Sequence, residues 1–355
     1  MESNIYKYPM AMTQQFKHCG NPFRIDTYKG CDFGCKYCFV NARGGNLNKQ
    51  FQIADFSIIE KNFYKAFEED KEAKNLTIEM LRHRVPLHLG GMADPFQSRE
   101  NTYRLTYKLL ELTKKYNYPM IISTKTSYLD ECYLDVLDSN IHAFQISLMS
   151  MDENFIRKFE TNTPSPQDRK QFAQDLKDSG FWVGIRIQPM IDINEATDVV
   201  KEMSPIVNYI TVEHIKIGND NSNKKQMFID MNLDPNDFVS CGREYEFKTD
   251  IKRKNIELLK SISKCPIGCG DNDLHELSDS NNCCGIDTIN ENFNNWMKYN
   301  SMYINKTNDR DVWCPTCNCS SCVNNEGRIK GYTCKDYVED YMTKPQKIGK
   351  CKVEI

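Results

Sequence analysis

From Phe23 to Glu213 the chain alternates short apolar runs of strand type with segments of helical spacing, and few folds accept that order. Phe23 to Lys29 reads as a strand running straight into a group of cysteines, and Ile58 to Glu69 as a helix with Ile58, Ile59, Phe63 and Phe67 on one face. Strand Pro86 to Gly90 precedes a helix from about Glu100 to Lys115, then strand Met120 to Ser123 and helix Tyr128 to Leu137. Strand Ala143 to Ser147 leads to helix Gln167 to Ser179, stopped by Gly180. Strand Trp182 to Ile187 leads to helix Asn194 to Met203, capped by Asn194, and Tyr209 to Glu213 closes the series.

Regular alternation of this kind means parallel strands joined by right-handed crossovers. Six such units predict an α/β fold, a partial (β/α)6 barrel of the TIM type, with an open doubly wound sheet as the alternative. In either, chemistry belongs at the carboxyl ends of the strands. The polar residues there are Asp94, Thr124, Lys125, Ser147, Arg186, Gln188, Glu213 and His214. After about residue 220 the rhythm breaks, so the reading divides the chain into a barrel over 1–220 and a cysteine-rich region over 221–355. Within the latter, 217–226 reads as a loop and 242–264 as a helix of mixed charge.

Sixteen cysteines are many for a chain with no signal pattern and no apolar run long enough to span a bilayer. The reading therefore places the protein in the cytoplasm, off the membrane, where clustered thiols hold metal more often than they pair. The first group runs Tyr28-Lys-Gly-Cys31-Asp-Phe-Gly-Cys35-Lys-Tyr-Cys38-Phe. Its C-x3-C-x2-C spacing can aim three thiolates at one cuboidal cluster, with Gly30 and Gly34 easing the tight backbone. No fourth cysteine follows on the loop, so one iron would stay open to a chelating ligand. The competing reading is zinc held by three cysteines and a remote fourth ligand, although zinc cysteines come more often as C-x2-C pairs.

The loop and the alternating segments after it resemble the radical S-adenosylmethionine superfamily, and more narrowly the branch that contains spore photoproduct lyase. The resemblance is carried by Asn21-Pro-Phe-Arg24, the Cys31–Cys38 loop, Gly90-Gly-Met-Ala-Asp94-Pro-Phe-Gln97, Thr124-Lys125-Thr-Ser127 and Ser147, over roughly residues 20 to 215. It implies a 4Fe-4S cluster on Cys31, Cys35 and Cys38 that cleaves S-adenosylmethionine to a 5′-deoxyadenosyl radical. It also implies that Gly90, Gly91, Ala93, Lys125 and Ser147 hold the cofactor, Lys125 by its carboxylate, and that Tyr37 stacks near the adenine. Arg186 and Gln188 face the mouth on the strand phase and could touch cofactor or substrate. A flavodoxin or ferredoxin is implied as reductant. Two departures speak against a true spore photoproduct lyase. Met92 stands where those enzymes carry a hydrogen-donating cysteine, and Phe39 stands where they carry a tyrosine.

Ten of the sixteen cysteines lie from Cys265 onward. Cys314, Cys317, Cys319 and Cys322 could hold a structural zinc or a second iron–sulfur cluster, with Cys334 and Cys351 beyond. Cys265 and Cys269, and the adjacent Cys283 and Cys284, flank an acidic run, and one of the latter pair could serve as a hydrogen donor. His214 and His275 are better placed as ligands than His18, His83, His88 or His142. Three functions stay open. The first is radical modification or repair of a nucleobase, and the second is radical chemistry on a peptide or small metabolite. The third is a non-catalytic zinc protein that binds nucleic acid. The basic stretch Lys252-Arg-Lys254, with Lys248, Lys260 and Lys264, favours nucleic acid, while a net charge of −3 weighs against a general polyanion binder.

Overall fold

The computed structural model describes residues 4–12, 20–42, 50–73, 75–218, 224–241 and 244–296. The tail cysteines Cys314, Cys317, Cys319, Cys322, Cys334 and Cys351, together with His18, lie outside the described residues. In chain order the strands are β1 Asn4–Tyr6, β2 Met10–Met12, β3 Phe23–Ile25, β4 Tyr28–Lys29, β5 Gln52–Ala54, β6 Leu87–Leu89 and β7 Met120–Thr124. There follow β8 His142–Ser147, β9 Trp182–Met190, β10 Tyr209–His214, β11 Lys216–Gly218, β12 Phe238–Cys241, β13 Glu244–Phe247 and β14 Ile267–Cys269.

Eight of these make one sheet in the order β14-β10-β9-β8-β7-β6-β3-β2, parallel except for the β2 edge. The expected six parallel strands are present, but the first, expected over Phe23 to Lys29, splits at Asp26-Thr27 into β3 in this sheet and β4 in a small separate one. A seventh, β14, joins them from beyond residue 220, so the barrel draws on both regions that the sequence had divided. Two small sheets flank it, β1-β5-β4 beside the first cysteines and β11-β13-β12 after the last strand of the regular series.

Period-two alternation sorts the strand residues onto two faces. Leu87, Leu89, Met120, Ile122, Phe144, Ile146, Val183, Ile185, Ile187, Ile210 and Val212 are fully buried under the helices and form the main core. Burial of each such side chain is worth about 1.5–3 kcal/mol before conformational entropy is subtracted. Their alternates face inward. At the amino ends these are Ile121, Ala143, Trp182 and Tyr209, which pack with Cys284, Ile286 and Phe293 as a separate apolar floor. Higher up, the inward residues are polar. Gly285, at φ 65°, leads into the floor segment, and a Cβ there would stand 2.4 Å from the Tyr209 ring.

Helix ends follow local chemistry. Ser165 accepts from the Asp168 N–H and Pro166 opens the helix Pro166–Asp178, which Gly180 terminates at φ 86°. Asp192, two residues ahead of the expected Asn194, caps Ile193–Met203. The single helix expected over 100–115 is two, Glu100–Tyr103 and Leu105–Lys115, broken where Arg104 turns left-handed at φ 52°. The buried Glu100 carboxylate accepts the Thr106 and Tyr107 N–H groups at 3.0 and 2.8 Å, so it caps the second helix from within the first. Of the helix expected over Tyr128 to Leu137, only the short 3-10 turn Glu131–Tyr133 forms. Residues 242–264 hold β13 and the helix Thr249–Ile262 in place of one continuous helix.

Candidate active site

The cysteine loop leaves β4 and doubles back at two left-handed glycines, Gly30 at φ 72° and Gly34 at φ 65°. Only glycine takes such angles without strain, so both assist the turn that the spacing predicts. Cys31, Cys35 and Cys38 carry free thiols, and the Cys38 N–H donates to the Cys35 carbonyl at 3.2 Å. The loop is pinned to the helix Glu153–Phe159 and its sequel. Lys36 N–H donates to the Phe159 carbonyl at 2.8 Å, Asn162 N–H to Phe33 at 3.1 Å, and the Asn162 amide to Asp32 at 2.8 Å.

Beneath the loop lies a buried ionic group. Tyr37 turns inward and donates to Glu160, whose carboxylate also meets Lys125 Nζ at 3.1 Å and Arg169 at 2.9 Å and accepts from Thr163 at 2.9 Å. Burial alone would raise the Glu160 carboxyl, but the Lys125 and Arg169 charges and these hydrogen bonds hold it at about 2. Lys125 Nζ also stands 5.6 Å over the Tyr37 ring. Arg169 reaches on to the Ser147 carbonyl at 2.8 Å, which ties β8 to the loop. Burial pushes the Cys35 thiol up to about 11 against the opposing pull of Lys125.

The turn after β6 forms the next wall. Gly90 has φ 93°, and a Cβ on it would stand 2.2 Å from the Ser123 carbonyl oxygen, so the close approach of β6 and β7 here needs glycine. Gly91 lies beside Arg24 and Asp26, and Met92 N–H donates to Asp26 at 2.7 Å. Ala93 is buried next to Asp94. Asp94 accepts from Thr124 Oγ1 at 2.9 Å, Lys125 N–H at 2.7 Å and Phe96 N–H at 3.0 Å. Its carboxyl is nonetheless raised to about 6 by burial. The motif residues after β6 and β7 are thus one hydrogen-bonded unit.

Across the inner face a polar chain crosses five neighbouring strands. His88 meets Ser123 at 2.8 Å, Ser123 meets Gln145 at 3.3 Å and Gln145 meets Arg186 at 3.2 Å. Arg186 donates to Gln188 and Gln188 to Glu213, which pairs with Lys216 at 2.7 Å. Among the described residues the Arg186 guanidinium donates to the Gln145 and Gln188 side-chain oxygens. Ser147 sits opposite Arg186 in the register, so the two share the upper level of this face.

The structure therefore brings Cys35, Tyr37 and Lys125 together around Glu160, places Cys31 beside Asp94, and sets Arg186 and Gln188 in a chain deeper on the same face. His88, expected at the surface or in a strand, belongs to that chain. His214 is occupied by Asp271, 2.6 Å from its Nδ1, and by Asn255 at its other nitrogen. Lys252, the centre of the basic stretch, is buried between Glu246 at 3.3 Å and Asp273 at 2.6 Å. Arg253 and Lys260 also have carboxylate partners, while Lys248, Lys254 and Lys264 are exposed, so the stretch is neutralised only in part. Sequence reasoning missed Glu160, Arg169, Asp26 and Gln145. Each has at least one partner more than twenty residues away, where no motif marks it.

A parallel partial barrel with a three-thiol loop after its first strands and a glycine turn at the next is the architecture of an enzyme that holds a cluster and a small cofactor at the strand ends. The chain belongs to the Radical SAM superfamily, whose family model matches residues 25–202. It is 22% identical over 220 residues to an uncharacterised protein of Mycobacterium tuberculosis, covering 59% of each chain. It is 24% identical over 180 residues to an uncharacterised protein of Acidianus two-tailed virus, covering 49% of this chain and 57% of that one. The chain thus spans under two thirds of the length of these relatives. In fold it is similar to spore photoproduct lyase complexed with dinucleoside spore photoproduct, with a TM-score of 0.51 at 16% identity, covering 73% of this chain and 78% of that one. Among the described residues no helix is long and apolar enough to cross a membrane.

The residues fit the superfamily's cofactors. Three free thiols on one glycine-turned loop match the three protein ligands that a 4Fe-4S cluster with one open iron would take.

Proposed function

We propose that this protein is a radical S-adenosylmethionine enzyme that abstracts hydrogen from a polar substrate seated on the inner face of the barrel. The observation that carries this reading is the single hydrogen-bonded unit joining the Cys31–Cys38 loop, Lys125 and the Gly90–Asp94 turn. Bound there, the cluster would supply one electron to cleave S-adenosylmethionine to the 5′-deoxyadenosyl radical. Cys31, Cys35 and Cys38 would hold the cluster. Gly90, Gly91 and Ala93 would line the cofactor's methionine end, Lys125 would exchange Glu160 for its carboxylate, and Ser147 would face its other side. The apolar floor of Ile121, Trp182, Tyr209 and Phe293 would keep water from entering below and so protect a radical.

Nucleic acid is the substrate class we favour. The fold neighbour is described as complexed with a dinucleoside spore photoproduct, and among the described residues the Arg186 guanidinium meets amide oxygens and no carboxylate. Met92 and Phe39 favour a reaction other than spore photoproduct cleavage. Residues 221–355 would complete and cap the chamber, with Cys314, Cys317, Cys319 and Cys322 holding a second cluster or zinc. A cytoplasmic site of action and a soluble electron donor complete the reading.

The test is anaerobic reconstitution followed by reduction with dithionite in the presence of S-adenosylmethionine. 5′-Deoxyadenosine should form with the native chain and not with the triple Cys31→Ala, Cys35→Ala, Cys38→Ala variant. A colourless zinc-loaded protein that makes none would overturn the proposal.

A further inference from the structure

We propose that the inner face of the barrel binds the substrate by a phosphate group, held between the guanidiniums of Arg24 and Arg186 on either side of His88. This rests on the reading that the substrate sits on that face, and it names the group that would seat it there. Strand alternation places both arginines. On β3, Phe23 and Ile25 go to the core under the helices, so Arg24 takes the inner side, and it stands beside His88 in the β3–β6 register. On β9, Ile185 and Ile187 go to the core, so Arg186 takes the inner side as well. Arg24, His88 and Arg186 are partly buried, above the floor of Ile121, Trp182, Tyr209 and Phe293. Both guanidiniums are close enough to act on the His88 imidazole. Burial first, then the Arg186 and Arg24 charges, lower it to about 4 from its ordinary 6.5. His88 is therefore neutral at pH 7 and adds no third charge, and its Nε2 is engaged by Ser123 at 2.8 Å.

Among the described residues neither guanidinium has a carboxylate within ion-pair distance. The hydrogen bond of Arg24 goes to the Met92 sulfur at 3.2 Å, a weak acceptor for a group with five N–H donors. Asp26 lies two residues on, but its Oδ1 takes the Met92 N–H at 2.7 Å and it forms no ion pair with Arg24. Arg186 donates to the Gln145 and Gln188 oxygens, and Glu213, beyond Gln188, pairs with Lys216 at 2.7 Å. Two like charges facing one enclosed space oppose each other unless an anion lies between them. A phosphate answers both, because it carries up to two negative charges and enough oxygens for two planar forks, whereas a carboxylate matches one. S-adenosylmethionine is the poorer occupant. It has a sulfonium, an amine and a single carboxylate, and the carboxylate is the group that Lys125 would take. A free nucleotide or a diester within a strand would each supply the phosphate.

The experiment is calorimetric titration of the whole chain at low salt with inorganic phosphate, acetate, thymidine, thymidine 5′-monophosphate and a short oligothymidylate without end phosphates. Phosphate should bind more tightly than acetate, and one of the two phosphate-bearing probes about tenfold or more above thymidine. Tighter binding of the monophosphate assigns a nucleotide, and tighter binding of the oligothymidylate a strand. Arg24→Gln and Arg186→Gln should each lose the preference, Arg24→Lys should keep part of it, and Lys201→Gln on the outer helix Ile193–Met203 should keep it whole. Thymidine equal to both phosphate-bearing probes, acetate equal to phosphate, or the same loss in Lys201→Gln would overturn the assignment. An equal fall in S-adenosylmethionine affinity in both glutamine variants would give the arginines to the cofactor and overturn it too. The native chain's preference among the probes decides the matter if those variants do not fold. 5′-Deoxyadenosine formed with dithionite is read in parallel. Its absence with phosphate binding intact removes the radical reading and leaves the anion site, while its presence without a phosphate preference does the reverse.

Discussion

Lys125 and Glu160 meet at 3.1 Å beneath the cysteine loop, with the carboxylate wholly buried and its second oxygen on Arg169 at 2.9 Å. In the proposed function Lys125 would leave Glu160 for the cofactor, and Glu160 would keep a cationic partner in Arg169. Glu160→Gln should therefore free Lys125 at a cost in stability. Breaking one partner out of a buried charge group is worth about 3–5 kcal/mol, read as a fall in thermal midpoint. S-adenosylmethionine affinity measured by calorimetry should move separately from Tm if Lys125 is its partner.

The same pair sets an acid limit. The folded Glu160 carboxyl lies at about 2, below its ordinary value of 4.5, so its stabilisation is complete above about pH 4.5 and is lost as pH falls toward 2. The loss amounts to something on the order of 3 kcal/mol. Urea titrations of the native chain and of Glu160→Gln between pH 5 and 2 should converge, and curves that stay parallel would remove Glu160 from this account.

His142 acts in a higher window. It is fully buried, its Nδ1 accepts the Asp138 N–H at 3.0 Å, and Nε2 meets Thr113 at 3.0 Å. A proton on Nδ1 would displace the Asp138 bond. Burial, the leading cause, lowers the imidazole to about 3 from its ordinary 6.5. The unfolded chain therefore takes up the proton first, and stability declines as pH falls from about 6.5 toward 3. The slope approaches about 1.4 kcal/mol per pH unit for one proton. His142→Asn should flatten the denaturant midpoint against pH over this range.

Gly90→Ala and Gly180→Ala form a matched test. Both glycines are left-handed, at φ 93° and 86°. The added Cβ meets the Ser123 carbonyl at 2.2 Å in the first and has nothing within 4 Å in the second. Backbone strain alone, about 1–2 kcal/mol, should lower Tm in Gly180→Ala without touching the cofactor. Gly90→Ala should lose more stability and most of its S-adenosylmethionine binding, since β6 and β7 must part to admit the methyl group.

Asp94→Ala would strand the part-buried Lys125 and Phe96 N–H groups and the buried Thr124 hydroxyl. Each unsatisfied group costs about 1–3 kcal/mol. A soluble Asp94→Ala variant with native Tm would show that the turn after β6 is held by other means.

Much of this was legible in order and spacing. The six strands, the helix after Ser165 and the left-handed glycines of the cysteine loop each follow from residues within a few positions of one another. The segment Tyr128 to Leu137 shows where local spacing loses. Its apolar residues recur at helical intervals, but Tyr133 must hold its hydroxyl 2.6 Å from Glu100, thirty-three residues upstream, and the chain keeps only a single 3-10 turn. Glu100 likewise splits a helix that propensity alone would continue. Strand β14 escaped notice because three residues ending in Cys269 look like a ligand site before they look like a strand. The Lys125–Glu160–Arg169 group was invisible for a simpler reason, since nothing local marks partners joined only when the sheet closes.

The floor beneath the sheet also has a bearing on synthesis. Cys284, Ile286 and Phe293 cover the amino ends of strands made up to 172 residues earlier, the span from Ile121 to Phe293. As the chain emerges from the ribosome, its first 220 residues would display an uncovered row of Ile121, Trp182 and Tyr209. That row would be a surface for chaperones to hold until the last turns arrive to seal it.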